Sequence, residues 1–297
     1  MSFKQTDTTT KNLLILHFTV FIWGFTGILG SLISISAVDM VWYRVMIASI
    51  TLAVYFITTK KSLKVTKKQF FQFSFTGIIV ALHWILFFYA IKVSTVSVTL
   101  VCLSSFTLFT AILEPLIKKN SIQIAEIFIG LIIILGIYLI FKFETKYTFG
   151  IILGLCAAVA SSLFATINST LIHKSDAVTI GFYEIVGAFF WITLYRLFDQ
   201  SLLTETFNLS GSDWLYLTVL GTICTALAYV AGVSVMRTLS AFRVALITNL
   251  EPVYGILLAF LFFGKRETMT IGFYLGAVLI LGAVFLYPIY KKRKEKQ

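Results

Sequence analysis

Charge is scarce in this sequence. Only 12% of its 297 residues are Asp, Glu, Lys or Arg, while 59% are hydrophobic; ordinary soluble domains carry roughly 25% charged and about 45–50% apolar residues. A surface that faces only water cannot be built from that supply, so lipid must act as solvent for much of the exterior. The mean hydropathy of +0.94 and the 29 Phe point the same way. Catalytic signatures are missing too. There is no GxSxG, no pair of carboxylates on one helix, and the three His are scattered without metal-ligand spacing, so a membrane-embedded enzyme lacks its convergent set. No phosphate-binding P-loop is present, which argues against ATP-driven pumping by this chain alone. Cys102, Cys156 and Cys224 all fall inside apolar runs without paired spacing, and they read as small packing residues. No cofactor or metal is implied.

What is there in abundance is long apolar runs. Ten can be placed: 13–34, 38–57, 70–90, 96–117, 122–141, 149–172, 177–197, 214–235, 241–263 and 271–289. Each approaches the roughly 20 residues needed to cross about 30 Å of hydrocarbon, and the runs are too continuous for barrel strands of about 9–11 residues. The first is longer than the h-region of a signal peptide, about 7–15 residues, and reads as a retained helix. The expected fold is therefore an all-α membrane protein of ten transmembrane helices.

The net charge of +11 does not point to nucleic acid, because the basic residues sit in short stretches between apolar runs. Counted on alternate loops, 17 Lys and Arg share the side of the termini, among them Lys60, Lys61, Lys64, Lys67, Lys68, Lys118, Lys119 and Lys291. Only Lys92, Lys142, Lys146, Arg196, Lys265 and Arg266 lie opposite. The positive-inside rule then places both termini in the cytoplasm.

Sliding the chain on itself by 146 residues brings Ser94 onto Ser240, Val98 onto Val244, and Gly130 with Gly136 onto Gly276 with Gly282. A shift of 140 sets Tyr43-Arg44 on Tyr183-Glu184. These matches predict two five-helix repeats, 13–141 and 149–289, between a short N-terminal tail (1–12) and a basic C-terminal tail (290–297), both cytoplasmic. Each half has an odd number of spans, so the halves face opposite ways, the arrangement on which alternating access depends.

Several short motifs carry a family resemblance. Trp23-Gly24 in the first run, Arg44 in the second, Tyr89-Ala90-Ile91-Lys92 at the end of the third and Leu250-Glu251-Pro252-Val253 in the ninth resemble the EamA family of drug/metabolite transporters. The resemblance spans nearly the whole chain. It implies a carrier of the bacterial inner membrane, often an exporter of amino acids or related metabolites, with a central cavity between the halves and no ATPase. Two departures stand out: Phe106 occupies the position matching Pro252, and the ninth run ends in Gly264-Lys265-Arg266-Glu267 in place of the family's usual Gly-Glu.

A charge inside a span costs at least roughly 2.5–3.5 kcal/mol at the centre, so Arg44, Glu184 and Glu251 must face partners or a wet cavity. Arg44 suits a substrate carboxylate and Glu184 an amine or a proton, the alternative for both being helix packing. Counting about 1.5 Å per residue, they differ by roughly 10 Å in depth, which disfavours a direct salt bridge. Pro252 removes a backbone donor and frees the carbonyl of Thr248, giving a hinge or a packing kink. Thr248 and Glu251 share one helix face while Asn249 points about 200° away, so an unbroken helix would show the cavity only one of these sets. His83 could complete a site, relay protons or simply bond between helices. Tyr43, Trp84 and Trp191 are candidate walls. Gly24, Gly27 and Gly30 form a small-residue stripe for close helix approach, and Asn168 and Glu114-Pro115 read as interfacial features near helix ends. The partners expected are a small-molecule substrate and the lipid bilayer, with the chain a monomer or homodimer. A channel or receptor is the second reading, but channels usually build pores from rings of polar residues about an axis.

Overall fold

The computed structural model describes residues 2–121, 124–199 and 209–294, and among these it holds helices and turns with no strand. Ile122, the expected start of the fifth run, and residues 295–297 of the basic tail lie outside the described residues. In chain order the helices are α1 (Ser2–Gly24), α2 (Thr26–Leu32), α3 (Ala37–Thr59), α4 (Lys67–Val93), α5 (Val96–Leu103), α6 (Phe106–Lys118), α7 (Ile124–Phe143), α8 (Thr148–Leu171) and α9 (Ala177–Phe198). Then α10 (Gly211–Gly221) runs through a π-helical segment, Thr222–Leu227, into α11 (Ala228–Val235), followed by α12 (Ala241–Thr248), α13 (Leu250–Phe263) and α14 (Ile271–Lys294).

Eight stretches are long and apolar enough to cross a membrane: Thr10–Leu32, Ala37–Thr59, Lys67–Val93, Val96–Lys118, Thr145–Leu171, Ala177–Phe198, Gly211–Val235 and Ala241–Glu267. Two shorter apolar helices, Phe128–Phe143 and Ile271–Ala283, accompany them. Large apolar side chains stand fully outside, such as Ile57, Leu261 and Val278 at 76%, 78% and 69% exposed. An apolar exterior of that extent is a lipid contact, and the protein is a multi-pass membrane protein.

Helix starts are written in hydroxyls and carboxylates. Ser36, Thr95, Ser210 and Ser240 each accept from the backbone N–H three residues on, and Thr66 with Gln69 forms a reciprocal capping box, satisfying donors that a helix leaves unpaired. Helix α4 is the hub, packing along both α8 and α9, while α7 and α14 pair with each other. Two glycines let backbones meet beside the buried charges. A Cβ on Gly77 would lie 2.3 Å from the carbonyl oxygen of Glu184, and one on Gly221 would lie 3.1 Å from that of Arg44 and 2.7 Å from Ile47. The glycine stripe of the first span, shared by α1 and α2, works similarly, with Gly24 against Tyr254, Gly27 against Val96 and Gly30 against Phe88.

Besides the span that turns at Phe25 between α1 and α2, two spans that pack on each other are broken, at Ser104-Ser105 between α5 and α6 and at Asn249 between α12 and α13. The first break has no proline. There the hydroxyls turn back onto the backbone, Ser105 donating to the Cys102 carbonyl at 2.6 Å and Ser104 to that of Leu100 at 3.2 Å, a local alternative that competes with regular helix. The second break falls three residues before Pro252. Pro252 therefore sits in the first turn of α13, where an amide hydrogen would find no helical partner anyway. The breaks touch: Asn249 Nδ2 donates to Thr107 Oγ1 at 2.5 Å, one residue into α6 from Phe106.

Candidate functional site

A cavity of about 80 Å³ opens where the broken helices cross, walled by Trp23, Thr26, Arg44, His83, Trp84, Phe87, Leu103, Ser104, Phe106, Ser161, Phe164, Tyr229, Thr248, Asn249, Glu251 and Pro252 among others. It is far smaller than the roughly 300–1,000 Å³ of pockets that hold drug-sized ligands. A larger polar recess of about 420 Å³ lies among Ser31, Lys92, Ser94, Thr95, Lys146, Tyr147, Arg266 and Glu267 at helix ends. The central cavity is the candidate site, because the buried charges line it.

Arg44 is 2% exposed. Its Nε donates to Thr225 Oγ1 at 2.5 Å, and its guanidinium carbon lies 4.1 Å from the Trp84 ring centre and 5.4 Å from that of Phe88. Aromatic faces attract a cation without neutralising it. Among the described residues no carboxylate comes within ion-pair distance of Arg44; the two ion pairs join Lys118 to Glu114 and Arg196 to Asp39. Glu251, 6% exposed, lines the same cavity with no hydrogen bond or ion pair among the described residues. One cavity thus presents a cation and a carboxyl group that feel each other's charge without forming an ion pair. His83 is fixed by Nδ1 against the Ala157 carbonyl at 2.8 Å; a carbonyl only accepts, so Nδ1 carries the hydrogen.

Thr225, the partner of Arg44, lies in the π-helical segment, and its hydroxyl donates to the Leu220 carbonyl at 2.6 Å. Single π turns are frequent at functional sites.

Of the residues singled out from sequence, Arg44, His83, Trp84, Thr248, Glu251 and Pro252 line the cavity. Glu184, Tyr43 and Trp191 do not. Tyr43 packs against Trp42 and Trp214, and Trp191 against Phe75 and Phe190. Glu184 stands behind Tyr229, whose hydroxyl donates to Glu184 Oε2 at 2.7 Å, with Asn168 Nδ2 donating to the same oxygen at 3.2 Å. Asn168 is thus fully buried, at 0% exposure, in place of the expected interfacial position; its amide nitrogen donates to groups on α9 and α11. Asn249 and Glu251 both face the cavity, against the expectation from an unbroken helix, because the break at Asn249 resets the helical phase.

Two further carboxylates were not expected to matter. Glu114, at the end of α6, accepts from the amides of Ala241 (3.3 Å) and Phe242 (2.8 Å) at the start of α12. Glu267, at the far end of the other broken span, accepts from Val96 (3.2 Å) and Ser97 (2.8 Å) at the start of α5. Each broken span ends by capping the beginning of the other, with a carboxylate on the positive end of a helix dipole.

These features define a class: a polytopic helical membrane protein with a small cavity walled by buried charged side chains and two broken spans that each cap the start of the other with a carboxylate. The EamA-like transporter family model matches residues 10–142 and again 148–287, and the chain belongs to that family. It is 24% identical over 269 residues to the uncharacterized transporter YdfC of Bacillus subtilis, covering 89% of this chain and 86% of that protein. An uncharacterized transporter of Archaeoglobus fulgidus is 23% identical over 52% of this chain and 53% of its own length. One of Methanothermobacter thermautotrophicus is 30% identical over 46% and 42%, so the match spans about half or less of each archaeal relative. A crystal structure aligns with TM-score 0.69 at 15% identity over 94% of this chain and 98% of that one, a likeness of fold.

Proposed function

We propose that this protein is a secondary carrier of the bacterial inner membrane that moves a small zwitterionic solute, an amino acid or related metabolite, by alternating access, with export as its working direction. Its ten helices form two inverted five-helix repeats, 13–141 and 149–289, with both termini in the cytoplasm. The observation that carries this reading is the reciprocal capping of the two broken spans by Glu114 and Glu267 around one cavity. Inverted halves offer two nearly equivalent packings, and breaking one cap while keeping the other opens one end at a time. Arg44 and Glu251 supply the charges for the two ends of a zwitterion, the guanidinium fork for its carboxylate and the carboxyl group for its ammonium.

The test is transport of a radiolabelled amino-acid mixture into proteoliposomes. Flux is expected to saturate and to show counterflow, and flux that rises without saturation would make the protein a channel. Arg44→Leu should abolish uptake while the protein remains abundant; Arg44→Lys should reduce it by roughly tenfold, the scale of one charge-assisted hydrogen bond. Full uptake by the Leu variant would leave Arg44 a packing residue. For orientation, a cysteine at Lys64 should be labelled by an impermeant thiol reagent only after the membrane is opened, and one at Ser210 in intact cells.

A further inference from the structure

Resting on the carrier reading above, one buried group outside the cavity has no task in solute binding. Glu184 is 0% exposed in the middle of α9. Both of its donors, the Tyr229 hydroxyl and the Asn168 amide, lie on Oε2, while Oε1 and Asn168 Oδ1 have no hydrogen-bond partner among the described residues. Among the described residues, the helices packed on α9 bring no cation to it. At Glu184 helix α4 presents the backbone face of Gly77, and its His83 is committed to the Ala157 carbonyl. Arg44 of α3 is committed to Thr225 and Trp84. Tyr229 is the titratable group from α11 that touches it.

An ionised Glu184 would therefore hold an unpartnered anionic oxygen in a buried site, which is strongly unfavourable. One hydrogen on Oε1 removes that cost and leaves Oε2 as a carbonyl that keeps both donors. Nothing larger reaches the group, since it lies behind Tyr229 and is absent from the cavity wall.

We propose that Glu184 is the binding site of the coupling proton, and that Tyr229 links its occupancy to the solute. The Tyr229 ring forms part of the cavity wall, 5.7 Å from Trp84 and 6.1 Å from Phe164 between ring centres, while its hydroxyl holds Oε2. A solute that displaces the ring withdraws a donor from the carboxyl group. Loading forms an O–H bond at Oε1 with a proton taken from water on one side. Unloading breaks that bond and returns the proton to water on the other side, and no electron is transferred.

Two measurements on the full chain in lipid test this. Infrared difference spectra between acid and alkaline buffers should contain the C=O stretch of a buried carboxylic acid that is lost in Glu184→Gln, kept in Glu251→Gln, and raised in frequency in Tyr229→Phe because Oε2 loses a donor. A band that survives in Glu184→Gln overturns the proposal, as does one that responds to exchanging sodium for potassium at fixed pH. In proteoliposomes with the labelled amino-acid mixture, Glu184→Gln should keep counterflow and lose accumulation driven by a pH gradient. Absent counterflow in the unmodified protein would sink the carrier reading itself; counterflow with full gradient-driven accumulation in Glu184→Gln would sink only the proton site.

Discussion

The two ends of the crossed spans reach the same hydrogen-bonding result by different routes. At one end Glu114 belongs to a helix, and it shares Oε1 with Lys118 at 2.7 Å while capping α12. At the other, Glu267 closes a 3-10 turn, Gly264–Glu267, entered through Gly264 at φ +54°, and among the described residues no cation lies within ion-pair distance of it. The backbone under a helical carboxylate moves only with its helix, whereas the backbone of a short turn swings on a few torsions, in addition to the side-chain rotation open to both. Beside Glu267, the polar recess holds Lys92, Lys146 and Arg266, cations that it would meet on leaving α5 in the proposed cycle. The Glu267 end is therefore expected to open at the lower cost.

The strongest way to break the comparison is to fix each end. With the exposed Cys156 replaced, a short bismaleimide joining cysteines at Ser97 and Glu267, or at Phe242 and Glu114, should reduce turnover to background in either case. Flux that persists after complete crosslinking would show that the fixed end does not open during transport. Less drastic are Glu267→Ala and Glu114→Ala. Each removes charge-assisted hydrogen bonds worth roughly 1.5–3 kcal/mol, a shift of about 10- to 150-fold between the access states. Labelling of a cysteine at Thr248 from each side of the membrane should change in opposite directions in the two variants. A change in the same direction would mean that the two caps do not act on alternate ends. The smallest effect belongs to Lys118→Met. Its ion pair is partly exposed, 26% for Lys118 and 11% for Glu114, so about 0–1 kcal/mol is at stake. Opening of that end should rise less than about fivefold, and the difference should vanish in high salt.

Hydropathy made the helical runs legible, since a stretch that must shed water on every face is apolar on every face, and the eight long spans fall within a few residues of the expected runs. Arg44, Glu251 and Pro252 could be picked out because each is costly in hydrocarbon. Asn168 could not, because an Asn near a helix end reads as interfacial, and Tyr229 could not, because one Tyr inside an apolar run carries no mark of the carboxyl group it meets. The partners of Glu114 and Glu267 are backbone amides, and no side-chain letter marks an amide as a ligand. The two carboxylates are also unequally spaced, Glu114 eight residues beyond Phe106 and Glu267 fifteen beyond Pro252, so sliding the chain on itself never aligns them. Asn249 departs from its expected face for a different reason: helical angles add only along an unbroken helix.

The wide turn at Thr222–Leu227 settles which way one hydrogen points. In a π turn the Thr225 hydroxyl reaches back five residues, and its only hydrogen is committed to the Leu220 carbonyl. What it turns toward Arg44 is lone pairs alone. A neutral acceptor of this kind steadies a guanidinium without subtracting from its charge, as a carboxylate would. Thr225 therefore acts as an insulator as much as a support, holding the guanidinium in place without subtracting from its charge.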